Sequence, residues 1–212
     1  MSIVQRLIAE CAKLGVPLTE TDAQRLLRLI DELERWNRTY NLTAIRNRDD
    51  MLTHHLLDSL SIHPDLRGVN VADVGTGAGF PGLPLAVVNP DRRFTLIDSN
   101  GKKIRFVEHA ARQLGLDNVT GKHARAESFS THDPFDTVVA RAFAPLPEMV
   151  RTIAPLCGPA TRVLAMKGKW PEEEIAALDP EWSHEGSHEL KVPGLAQSRC
   201  VIVLSRQAKG GL

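Results

Sequence analysis

At 212 residues, 42% apolar and 25% charged, the chain is long and apolar enough to bury a core without disulfides or metals, and its composition argues against disorder. Its 26 Lys and Arg balance 26 Asp and Glu, so it does not coat nucleic acid by bulk charge, although a local basic surface is still open to it. Cys11, Cys157 and Cys200 lie far apart with no CxxC pair, which suits a reducing compartment and buried apolar roles.

The N-terminal stretch is interrupted by Arg6, Glu10 and Lys13, and no apolar run approaches the length of a membrane span. The expectation is a cytoplasmic chain. Residues 1–63 read as a helical extension to a main domain over 64–212. Thr19, followed by Glu20 and Asp22, is a helix start. Leu26, Leu29, Ile30, Leu33, Trp36 and Tyr40 then recur on one face, with Arg25, Arg28, Arg35 and Arg38 largely elsewhere. A further helix is predicted over 49–61, with Met51, Leu52, Leu56 and Leu60 inward. From residue 69 short β-branched runs alternate with helical stretches. Strands are predicted over 69–75, 94–99, 119–123, 136–141, 161–167 and 200–205, with a weaker one over 188–192. Helices are predicted over 83–88, 102–114, 146–156 and 171–178. This alternation implies a doubly wound, mostly parallel α/β sheet. Pro193-Gly194 in place of a helix predicts a C-terminal antiparallel hairpin. A ligand of such a sheet binds at the carboxyl ends of its strands.

The first strand runs into Asp73-Val74-Gly75-Thr76-Gly77-Ala78-Gly79-Phe80-Pro81-Gly82. A glycine-rich first βα loop lets a nucleotide-like ligand approach the backbone. Gly77, Gly79 and Gly82 match GxGxxG, but Pro81 has no N–H to offer a pyrophosphate, so the match reads as accidental. S-adenosylmethionine, an adenosine without phosphate, fits better. Asp73 can meet its ammonium group, cap the loop backbone, or do both. Asp98, at the end of the second strand, either accepts from ribose hydroxyls or caps the next helix. After the third strand, Glu127 can accept from an adenine amine, and the Ala126–Glu127 backbone can pair with ring nitrogens.

DVGTGAGFPGLPLA, LIDSNGKK, ARAE, ARAFAP and MKGK, with NLTAI and HHLLDSL upstream, resemble the bacterial small-subunit rRNA guanine-N7 methyltransferases, also known as glucose-inhibited division protein B. The resemblance runs from about Trp36 to Lys169. It implies a class I, Rossmann-like methyltransferase fold with S-adenosylmethionine as cofactor. It further implies a guanine of the 530 loop of 16S rRNA, nucleotide 527, as target. Carried over by motif, Gly75, Phe80, Ala126, Glu127 and Arg141 contact the cofactor, alongside Asp73, Gly77 and Asp98. Asp98 stands where many relatives have Glu. The expected partner is 16S rRNA, the small ribosomal subunit or an assembly intermediate, met by a monomer without membrane contact.

Guanine N7 has an in-plane lone pair and no hydrogen, so positioning can do the catalysis without a base. Arg141 and Lys167, at the ends of the fourth and fifth strands, are expected to point into one crevice. Arg141 would hold the methionine carboxylate, and Lys167 a phosphate or base edge; a surface ion pair is the alternative for each. His54, His55 and Asp58 could bind a metal, but without a third nitrogen or sulfur ligand nearby they read as helix packing and hydrogen bonding. Further RNA candidates are Arg46, Arg48, Lys102, Lys103 and Arg105. Two other readings stand: a nicotinamide-dependent oxidoreductase on the same sheet, against which Pro81, Asp73 and the lack of a Tyr-xxx-Lys set weigh, and a non-catalytic protein that binds S-adenosylmethionine or the ribosome.

Overall fold

Alternating burial along the second half of the chain resolves into a seven-stranded sheet. The strands are β1 (Asn70–Val74), β2 (Arg93–Asp98), β3 (Val119–His123), β4 (Thr137–Arg141), β5 (Arg162–Lys167), β6 (Trp182–Glu189) and β7 (Cys200–Arg206). Their order is β3-β2-β1-β4-β5-β7-β6, and β7 runs antiparallel to both of its neighbours. The structure, a computed structural model, describes residues 1–129, 131 and 133–207.

Parity sorts the strand residues onto two cores. Val71, Leu96, Val139, Leu164 and Val201 face one side, and Ala72, Ile97, Val138, Val163 and Ile202 the other. The first side is covered by α1 (Ile3–Lys13), α2 (Glu20–Tyr40), α5 (Gly82–Val88) and α6 (Gly101–Leu114). The second is covered by α7 (Leu146–Ile153). Side chains of α1 and α2 thus share a core with one face of the sheet.

Thr19 caps α2 in a reciprocal box with Asp22, and Leu26, Leu29, Ile30 and Leu33 have no exposed surface. Truncating any of these four to Ala would cost about 2–5 kcal/mol. Tyr40, expected inward, is 44% exposed and lies beside Trp36, because α2 ends there and Asn41 turns left-handed.

Three elements depart from expectation. The helix predicted over 49–61 is α3 (Arg48–Met51), a π-helical turn over Leu52–Leu57, and α4 (Asp58–Leu60). The weak strand over 188–192 is instead β6, beginning at Trp182. It is an edge strand with little apolar alternation (WSHEGSHE), so the pattern that marks a half-buried strand is lacking. The antiparallel hairpin expected around Pro193-Gly194 is present, with a ten-residue loop over 190–199 joining β6 to β7. The helix over 171–178 shortens to α8 (Glu172–Ala176).

Candidate functional site

After Val74 the chain leaves the sheet sharply, with Gly75 and Thr76 N–H groups both donating to Ile97 O at 2.9 and 3.1 Å. Gly77 has φ +61, a left-handed conformation, and a Cβ added there would meet only Lys103 Nζ, at 4.0 Å. Asp73 lies under this loop. Its Oδ2 accepts from Thr76 Oγ1 at 2.6 Å and from Gly82 N at 2.8 Å, so it ties the two ends of the turn together. Burial pushes its carboxyl up to about 6, against the pull of those hydrogen bonds and of Arg141. Its Oδ1 has no partner. With 1% exposure, Asp73 braces the loop from below and does not line the cavity above it.

That cavity, about 460 Å³, opens at the carboxyl ends of β1, β2 and β4. It brings together Gly75, Asp98, Ala126 and Glu127, with Lys103 and Phe143. Asp98 accepts from Gly77 N at 2.9 Å and Asn100 N at 2.8 Å, which leaves part of its acceptor capacity unused. It does not cap α6; Asn100 does, accepting from Lys102 N. Ala126 and Glu127 begin a 3-10 turn, whose first N–H groups have no partner within the turn. A carboxylate with spare lone pairs, backbone donors, and a loop that admits close approach suit an adenosine. The Phe143 ring covers Gly75: a Cβ there would lie 2.4 Å from its Cδ2.

A second cavity, about 370 Å³, adjoins the first and shares Ala142 with it. It is lined by His54, His55, Asp58, Arg141, Lys167 and Arg199. Arg141 Nη1 donates to Asp58 Oδ2 and to His54 O, each at 3.0 Å, and Arg199 Nε donates to Asp58 Oδ1 at 3.2 Å. Asp58 thus holds two cations on one buried carboxylate. The π-helical turn supplies the His54 carbonyl, and π turns often mark functional positions. His55 stacks on Phe80 at 4.7 Å, and its Nε2 lies 3.1 Å from Thr43 Oγ1. Burial, then the charges of Arg141 and His54, push His55 down to about 3, so it is neutral. Thr43 Oγ1 also accepts from Ile45 N, which sets Ile45 on the cavity wall.

Between the two cavities, Ala142 has φ +48, sparsely populated for a residue with a Cβ and worth about 1–3 kcal/mol of strain.

Arg141 and Lys167 both line the second cavity, as expected, but strand parity sends their charged ends to different partners. Arg141 has the parity of Val139 and faces the helices before β1. Lys167 has the parity of Val163 and Ala165 and faces α7 and α8, where Nζ donates to Ala144 O and Glu174 Oε2, both at 2.8 Å. Burial alone would raise the Glu174 carboxyl, but the Lys167 hydrogen bond and charge and the Leu146 N–H hold it below its usual value. Phe80 is 3% exposed and lies under the second cavity, with Arg141 5.9 Å over its ring, rather than in the first. Arg46 is exposed beside Ile45 and reaches Asn41 Oδ1; Lys102 is exposed at the start of α6. The sequence reading did not find Arg199, Ala142 or Phe143. Arg199 carries no motif, whereas Ala142 and Phe143 lie within ARAFAP. Among the described residues no cluster of His, Cys, Asp or Glu is placed to hold a metal, and no helix is long and apolar enough to cross a membrane.

The family model described as rRNA small subunit methyltransferase G matches residues 22–203. Among curated relatives, Ribosomal RNA small subunit methyltransferase G of Escherichia fergusonii is 43% identical, over 90% of this chain and 92% of its own. That of Chromohalobacter salexigens is 46% identical, over 95% and 96%. Among solved structures, magnesium protoporphyrin IX methyltransferase from Synechocystis PCC 6803 with bound SAM superposes at a TM-score of 0.60. It is 18% identical, over 89% of this chain and 98% of that one. A SAM-dependent methyltransferase from Thiobacillus denitrificans in complex with S-adenosyl-L-homocysteine superposes at 0.57, with 14% identity over 82% and 98%. These likenesses give the fold: a class I methyltransferase sheet.

Proposed function

The chain belongs to the rRNA small subunit methyltransferase G family, and on that premise we propose that it methylates N7 of a guanine in 16S rRNA, nucleotide 527 of the 530 loop. It is an S-adenosylmethionine-dependent methyltransferase of small-subunit rRNA, which removes the nicotinamide and non-catalytic readings. The reaction belongs in the cytoplasm, carried out by a monomer on the small subunit or an assembly intermediate.

The observation that carries the reading is the pair of cavities that meet at Ala142. The first takes the cofactor: Asp98 receives the ribose hydroxyls, the Ala126–Glu127 turn meets the adenine, and Gly75 and Gly77 admit the amino-acid end. S-adenosylmethionine, when bound, supplies an electrophilic methyl group. The second cavity takes the guanine. Arg199, whose guanidinium is only partly used by Asp58 and Ser198 O, offers donors to guanine O6 or a flanking phosphate. Arg141 acts as a positioning residue, fixing Asp58 and the π-helical turn. Asp73 acts likewise on the glycine loop.

No side chain of the second cavity is poised as a base. His55 is neutral but bonded to Thr43 and stacked on Phe80, and Asp58 is neutralised by two arginines. Guanine N7 has no proton to lose, so nothing more is required than alignment and exclusion of water, for which effective molarities supply roughly 7–11 kcal/mol.

The test is transfer of labelled methyl from S-adenosylmethionine to small-subunit particles that lack the modification, followed by mapping. Label on N7 of nucleotide 527 is expected. Label on another atom or nucleotide would overturn the site, and no label on rRNA would overturn the substrate.

A further inference from the structure

We propose that Trp170 stacks on an unpaired nucleobase beside the target guanine, with Lys169 next to its phosphate. The inference rests on the rRNA reading above. Trp170 is 54% exposed, one of six large apolar side chains among the described residues that face solvent. Its place is what matters. Gly168 lines the second cavity, and Trp170 follows two residues later, at most about 7 Å along the chain.

The segment that carries it is held. Lys167 Nζ binds Ala144 O and Glu174, and Cys200 Sγ lies 3.7 Å from Lys167 O and 3.5 Å from Lys169 O. A ring on an anchored backbone makes a platform with little ordering left to pay on contact.

Cations flank the segment on the side of the cavity, and the acidic first turn of α8, Glu172 to Glu174, follows it. Lys169 is exposed and has no ion-pair partner among the described residues. Arg199 Nη1 comes within 3.8 Å of the Cβ position at Gly168, and Arg46 stands beyond Ile45, which also lines the cavity. An exposed indole with cations on its cavity side matches a nucleotide, which offers a π-face and a phosphate together. A guanine can enter a cavity of about 370 Å³ only when it is out of its stack, and its neighbours then present free faces at the rim.

Three variants test this: Trp170→Ala, Trp170→Phe and Trp170→Leu. The readouts are the KM for small-subunit particles, the affinity for S-adenosylmethionine by calorimetry, and quenching of intrinsic fluorescence by a single-stranded oligoribonucleotide. Trp36 packs against Phe106 and His109, and Trp182 is buried, so Trp170 is the tryptophan that solvent-borne RNA meets. The Ala variant should raise KM roughly five- to a hundred-fold, the range for loss of one base–aromatic stack, with cofactor affinity unchanged. The Phe variant should recover most of the loss and the Leu variant little. Quenching should be present in the natural protein and lost in Trp170→Phe. An unchanged KM in Trp170→Ala would overturn the inference, as would Leu recovering as well as Phe. A KM effect on particles without any quenching by RNA would assign Trp170 to a protein partner and also overturn it. Failure of the natural protein to methylate rRNA would instead sink the substrate reading; the quenching experiment stands apart from that outcome.

Discussion

Asp58 and Arg141 lie 83 residues apart in the chain and 3.0 Å apart in the fold, where they join the helices before β1 to the end of β4. Asp58 is 3% exposed and also holds Arg199. Asp58→Asn leaves two guanidinium groups without their counter-charge and should lower unfolding free energy by about 3–5 kcal/mol. Arg141→Met leaves Asp58 paired with Arg199 and should lose less, about 1–3 kcal/mol. Urea denaturation measures both; the reverse order would show that Asp58 is not the hub. Because the Arg141 guanidinium lines the second cavity, Arg141→Met should lose more rRNA turnover than S-adenosylmethionine affinity.

Gly77→Val tests the glycine loop at the edge of the first cavity. A β-branched residue at φ +61 strains the loop by roughly 1–3 kcal/mol, and its side chain enters space that protein leaves open. Cofactor binding by calorimetry should vanish while the circular dichroism spectrum stays native. Normal binding in a folded variant would move the cofactor elsewhere.

His55 gives a pH dependence of defined sign. Its folded pKa of about 3 lies below the unfolded 6.5, so its contribution to stability is complete above about 6.5 and is lost as pH falls toward 3. The full span is worth about 5 kcal/mol at 1.36 kcal/mol per unit. Asp73 works in the opposite direction. Raised from 3.8 to about 6, its contribution is complete below 3.8 and lost as pH rises through 6. The two oppose each other between these values, so the informative quantity is the difference between natural protein and His55→Gln. That difference should shrink steadily on acidification below about pH 6.5, read by denaturant unfolding. A difference constant with pH would mean that His55 is not buried neutral.

The chemical step should show no general base. Single-turnover methyl transfer with both partners saturating should be flat from about pH 6 to about pH 9. A steep rise with one apparent pKa would point to an acceptor that carries a proton and reopen the choice of atom.

Much of the sheet was legible because β1, β2, β4, β5 and β7 are dense in Val, Ile and Leu and separated by helical stretches of ordinary length. β6 was misplaced because an edge strand of Ser, His and Glu carries its ladder in the backbone, where composition is silent. The π-helical turn was invisible for a related reason: LTHHLL has ordinary helical spacing, and one extra residue per turn leaves no trace in residue type. The grouping of Gly75, Asp98, Ala126 and Glu127 followed from one rule, that parallel strands present their carboxyl ends together. That Arg141 and Lys167 meet at one cavity followed from the same rule, whereas the different partners of their charged ends required counting parity along two strands. Arg199 could not be found, since a lone arginine before a strand acquires meaning only from Asp58, 141 positions earlier.

That separation bears on how the molecule is made. β7 is inserted between β5 and β6, so until it arrives β5 has one open edge and Asp58 lacks one of its two cations. At about 5–20 residues per second, roughly 7–28 s pass on a translating ribosome between the synthesis of positions 58 and 199. Nascent chains stalled before residue 200 should be held open to proteases at the β5 edge. The second cavity, walled in part by Arg199, is therefore completed only once the segment leading into the last strand has been made.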